Sequence, residues 1–129
     1  MRGAAELQAL LRVSNDRATS RLISRIIREF PLRLGEGESR EYWKDPGLQD
    51  VRLPILLGEG AQSGEEMLCK VLAAAWALAG PWTVLSVGEP FDAGWEFVAI
   101  TDHRNADMRI PGVEWMRISM LLNSPGSVG

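Results

Sequence analysis

Between Ser63 and Gly80 the apolar residues recur at helical spacing. At 100° per residue Met67, Val71, Leu78, Ala75, Leu68, Leu72, Trp76 and Cys69 share one wide arc, and Glu66, Ala73, Ala77, Lys70 and Ala74 share the other. Ser63 with Glu66 three positions later has the form of a capping box, and Gly80-Pro81 forbids continuation. The pattern predicts a buried helix over 64–79. Its arc places Trp76 in the core, with Cys69 packed beside it and slow to react with thiol reagents.

Three runs rich in β-branched and aromatic residues follow, at 82–88, 94–102 and 113–122. The connections between them are too short for helical crossovers, so the runs predict an antiparallel meander. In the second run Trp95, Phe97 and Ala99 alternate with Glu96, Val98 and Ile100, as a half-buried strand requires. The run 51–57 is a candidate fourth strand, and Pro54 within it argues for an edge position.

Upstream, residues 15–30 read as an amphipathic helix. Ala18, Leu22, Ile23, Ile26, Ile27 and Phe30 form one stripe, Arg17, Arg21, Arg25 and Arg28 lie opposite, and Pro31 ends it. Ala4 to Arg12 is a short helical candidate, with Leu7, Leu10 and Leu11 on one side. Residues 34–63 are rich in Gly, Glu, Asp and Pro and read as irregular, with Tyr42-Trp43 anchored against the body. Residues 123–129 have the composition of a frayed tail. The expectation is therefore an α+β fold in a single domain, 1–129. A buried helix packs on a three- to four-stranded, mainly antiparallel sheet, joined by an N-terminal amphipathic helix.

Charge sharpens this picture. Residues 1–33 carry seven Arg against Glu6, Asp16 and Glu29, whereas the remainder carries seven basic against fourteen acidic residues. A basic head on an acidic body suits a charged protein partner better than long-range attraction to nucleic acid. One cysteine excludes an internal disulfide framework, and the N-terminal residues lack the apolar stretch of a signal peptide, so a cytoplasmic setting with no membrane span is expected.

Candidate chemistry is sparse. Asp102, His103, Arg104, Asn105 and Asp107 form the densest polar cluster, yet one His with two Asp in one loop lacks the spacing of a known metal site. The glycines at 58–64 lack a phosphate-loop pattern, and the Glu residues at the helix start would repel an anion. No catalytic residue, metal ligand or cofactor is assigned, and the chain reads as more akin to a non-enzyme.

The leading functional expectation is a small cytoplasmic protein-binding module, an immunity- or antitoxin-like or phage-encoded inhibitor that neutralises another protein. Its expected contacts are Asp102, His103, Arg104, Asp107 and Asp92. The alternatives are a nucleic-acid-associated protein using the Arg17, Arg21, Arg25, Arg28 face and a small enzyme using the 102–107 loop. The oligomeric state is left open.

Overall fold

A computed structural model of the chain describes residues 2–58 and 63–123. Of the expected tail at 123–129, Asn123 ends a strand and the rest lies outside the described residues, as does most of the glycine loop at 58–64. The chain forms β1 (Arg2–Arg12), α1 (Asp16–Glu29), β2 (Arg33–Leu34), β3 (Glu38–Tyr42), β4 (Asp45–Leu56), α2 (Gly64–Trp76), β5 (Ala79–Gly80), β6 (Thr83–Val87), β7 (Glu96–Asp102), β8 (Asp107–Met108) and β9 (Val113–Asn123). Seven strands join one antiparallel sheet in the order β2-β4-β1-β9-β7-β6, with β3 pairing on the same side of β4 as β2. The expected helix on a three- to four-stranded sheet is thus corrected: 47% of the chain is strand, in a single broad sheet.

The largest correction is β1. Residues 4–12 are made of good helix formers, yet they run down the middle of the sheet, paired to β4 on one side and β9 on the other. Tertiary context overrides the propensity. The period-2 pattern is present in the sequence: Ala5, Leu7, Ala9 and Leu11 are buried on one face, while Glu6 and Arg12 point to the other. Small residues there let α2 come close. A Cβ on Gly3 would meet Met67 Sδ at 3.0 Å.

Residues 33–56, expected to be mostly irregular, supply three strands. Pro54 does not mark an edge, because β4 lies between β1 and the β2–β3 pair. In an extended strand the N and O of one residue point to the same side, and Pro54 O accepts the Gly35 N–H at 2.9 Å. Its missing donor therefore faces the gap between β2 and β3, where no ladder bond is lost. Gly37 bridges that gap, and any Cβ there would overlap the Arg52 carbonyl.

Both helices cover one face of the sheet. Beneath them lie Leu7, Leu11, Val51, Leu53, Phe97, Ala99, Met116, Ile118 and Met120, nearly all with almost no exposure. α1 is capped by Asn15, whose Oδ1 accepts from Ala18 N at 2.8 Å, and it buries Thr19 and Ile26. α2 is capped by Ser63, whose hydroxyl accepts from Glu66 N at 3.0 Å. Its buried stripe is Gly64, Met67, Val71, Ala74 and Ala75, narrower than the expected arc. The helix stops at Trp76, and Ala79-Gly80 pair with β8 instead. Two expectations fail with that arc. Trp76 is 51% exposed, its ring lying over Gly80, and Cys69 is exposed.

Leu7→Ala should therefore cost about 3 kcal/mol of unfolding free energy in urea. Trp76→Ala, which uncovers little core, should cost only about 1 kcal/mol. Cys69 should react with a thiol reagent in the native protein at nearly its unfolded rate, and strong native protection would contradict this placement.

Candidate functional site

Among the described residues, the opposite face of the sheet carries no helix. Its strands present Glu38, Arg40 and Tyr42 from β3, and Leu48, Asp50 and Arg52 from β4. They add Glu6, Gln8, Leu10 and Arg12 from β1, Trp115 and Arg117 from β9, and Val98, Ile100 and Asp102 from β7, as the registers dictate. Alternation explains the set: on β1, β4, β7 and β9 these residues alternate with the residues that face the helices.

Polar groups on this face are largely paired with one another. Asp50, only 7% exposed, accepts from Gln8 Nε2 at 3.1 Å and lies 3.5 Å from Arg52 Nη2. Arg52 Nε is buried without a partner, among the described residues. Arg117 stands 3.9 Å from Glu96.

At one end of the face Arg12 ties three segments together. Its Nε and Nη2 donate to the two carboxylate oxygens of Glu114 at 2.9 and 3.1 Å, and Nη2 also donates to Asp45 Oδ2 at 2.9 Å. Asp45 Oδ1 in turn accepts the Gly47 N–H at 2.9 Å. The end of β1, the start of β9 and the β3–β4 turn are thereby held in one arrangement. A forked guanidinium–carboxylate contact fixes geometry more than it adds stability at an exposed position. The Arg12 guanidinium holds both the Glu114 and the Asp45 carboxyl below their ordinary values.

Next to this clip lies a groove of about 410 Å³. Tyr42 and Trp115 wall it, Leu10, Leu48 and Gln8 lie within it, and Asp102, His103, Arg104 and Glu114 complete the lining. The expected contact residues divide here. Asp102, His103 and Arg104 come together at the groove. Asp107 lines a neighbouring depression with Arg12, His103 and Glu114. Asp92 precedes β7, so the seven-residue strand separates it from Asp102 by roughly 20 Å.

Asp102 has a local task. Its Oδ1 accepts the Arg104 and Asn105 backbone N–H groups at 2.8 and 3.0 Å, and its carboxylate accepts from Asn105 Nδ2. The Asn105 side chain, helped by these backbone donors, lowers its pKa. This is Asx-turn chemistry that shapes the β7–β8 turn. The His103 ring bonds through Nδ1 to the Glu114 carbonyl oxygen at 3.0 Å. Cys69 sits on the helical side of the sheet and His103 on the groove, so the two do not form a nucleophile–base pair. Among the described residues no three His, Cys, Asp or Glu side chains are arranged to hold a metal ion. No described helix is long and apolar enough to cross a membrane.

Of the helical arginines, Arg25 pairs with Glu29 one turn on at 3.2 Å, rather than with the acidic 36–41 stretch. Arg17, Arg21 and Arg28 are exposed on α1, on the far side of the sheet from the groove.

Trp43 is the residue that sequence reasoning missed. Expected to be anchored, it stands at the two-residue turn between β3 and β4 and is 82% exposed. Its ring centroid is 6.1 Å from that of Tyr42 in the groove wall, and Lys44 Nζ lies 4.9 Å from it. The signal available was the hairpin itself, whose turn pushes both central side chains outward.

Comparison of this chain with protein-family models, with curated proteins and with solved structures gives no match.

The Arg12 clip predicts a pH dependence. The folded-state pKa values of Asp45 and Glu114 are depressed, so their contribution is present above the ordinary carboxylate values of 3.8 and 4.5 and is lost as pH falls through the depressed values. Arg12→Met should raise the titration of both carboxyl resonances toward their ordinary values, with Asp45 still held somewhat below by the Gly47 N–H. It should lower stability near neutral pH, with the difference from wild type shrinking below about pH 4. A gap that persists at low pH would assign Arg12 a packing role instead.

Proposed function

We propose that this chain is a protein-binding module of the inhibitor or immunity kind, contacting its partner through the open sheet face around the Tyr42–Trp115 groove. One observation carries the reading: Trp43, the most exposed large apolar side chain described, is held beside that groove on a hairpin clipped to the sheet by Arg12 and Asp45. Exposing an indole costs solubility and gives the fold nothing. Trp, Tyr and Arg are the residues that most often dominate binding energy at protein interfaces. Here Tyr42, Trp115 and Arg104 line one concavity with carboxylates at its rim, and Trp43 stands beside it against Tyr42, the arrangement of an apolar centre within a polar border.

A basic partner surface suits the excess of acidic residues beyond residue 33.

The test begins with a binding partner captured from a cognate lysate. Trp43→Ala should leave the thermal midpoint unchanged and weaken that binding by roughly thirtyfold, on the order of 2 kcal/mol. Asp107→Lys should slow association and flatten its salt dependence. Asp102 is unsuitable for the same exchange, because its carboxylate holds the turn. Unchanged affinity in Trp43→Ala would remove the groove from the account. Capture of nucleic acid alone, abolished by Arg21→Ala with Arg25→Ala, would put the helical arginine face in its place.

A further inference from the structure

The two edges of the sheet are built differently. On the β2–β3 side the edge is broken into two short strands, carries Arg33, Glu38, Arg40 and Glu41 exposed, and has a register shift at Glu41/Tyr42. Charge, shortness and a bulge are the devices that keep a sheet edge from pairing with another chain. β6 is as short as β3, at five residues, but it has neither the charge nor the bulge. Thr83 to Val87 contain no charge and no proline, and the strand pairs with β7 in unbroken register. All five residues are exposed, with Val84 at 48%, Leu85 at 54% and Val87 at 62%. The chain has no charged residue between Lys70 and Glu89.

We infer that β6 is a homodimer edge: it pairs antiparallel with β6 of a second copy about a two-fold axis at Leu85, extending the sheet across both molecules. The pairing is self-complementary. Leu85 meets Leu85 of the mate, Thr83 meets Val87, and Val84 meets Ser86. An isologous contact of this kind needs no like charges to be brought together, because none is present within it. Val84 lies on the helical side and Leu85 and Val87 on the open side, so one pairing covers apolar surface on both faces.

An extended peptide from another protein is the competing occupant, since edge strands also accept added strands. Such recognition takes specificity from pockets beside the edge. Neither the Tyr42–Trp115 groove nor the Asp107 depression is lined by residues of β6. An uncharged strand that can meet its own residues with no like charges opposed fits its own copy better than a peptide whose side chains must be read. The inference is independent of the groove reading, since β6 lies at the far edge from the Trp43 hairpin.

The experiment uses the full chain. Sedimentation equilibrium over a concentration series should show a dimer in the micromolar range. Leu85→Lys puts two ammonium groups opposite each other at the axis and should shift the chain to monomer, with the circular dichroism spectrum and thermal midpoint of a folded protein. In a Cys69→Ser background, Leu85→Cys should form an intermolecular disulfide under mild oxidation, because residues directly opposite in a ladder come within disulfide reach, and Arg40→Cys on the opposite edge should not. A wild-type chain that stays monomeric, a dimer indifferent to Leu85→Lys, or equal cross-linking at both edges would overturn the inference. If Leu85→Lys does not fold, the cross-linking pair decides alone.

Discussion

The whole architecture depends on β1 being hydrogen-bonded along both of its edges. It joins the β4 side of the sheet to the β9 side, pairing in unbroken register with Ile55 to Leu48 and, with one register shift at Leu10/Leu11, with Asn123 to Val113. Its inward face is small at Gly3, Ala5 and Ala9 and large at Leu7 and Leu11. The alternation lets α2 descend onto the sheet while the leucines fill the space around it. Remove that strand and the β2–β3–β4 unit has no partner, and the meander of β6, β7 and β9 is left with an open hydrophobic edge.

Placing both helices on one side follows from the same strand. The opposite face then has to meet solvent without a covering layer. It does so by interleaving ion pairs and amide contacts with apolar residues, such as Asp50 with Gln8 and Arg52 above the buried Leu10 and Leu48. At the end where β1 runs out, Arg12 converts this pairing into positioning. It fixes the hairpin that carries Trp43 against the start of β9, so the groove is a consequence of strand ends brought into register. At the other end the face runs out into β6, where neither charge nor bulge closes the edge.

The meander was legible in the sequence because its three runs are rich in β-branched and aromatic residues and Gly88, Gly94 and Gly112 punctuate them. The cap of α2 was legible for the same local reason: Ser63 acts on an amide three residues away. What failed was long-range. Leu7, Leu10 and Leu11 satisfy a helical spacing as well as Leu7 and Leu11 satisfy a strand, and only pairing with distant residues of β4 and β9 decides between them. The 64–79 arc was read too wide because alanines at 74 and 75 carry the tightest contacts, and hydrophobic size suggested Trp76 instead. Of the site, the 102–104 segment could be singled out as polar, but its groove comprises residues from four other places in the chain. Trp43 was misjudged because an exposed indole violates the rule that apolar residues go inside, and such violations are where binding surfaces are found.

Residue-resolved amide hydrogen exchange under native conditions tests the placement of β1 most directly. If β1 is the central strand, the amides of Ala5 to Leu11 should exchange only through global unfolding, as slowly as those of β9, since each is held between two ladders. They should outlast the amides of both helices. Fast exchange throughout 5–11 beside slow exchange in α2, the behaviour of a peripheral helix at the N-terminus, would contradict the account.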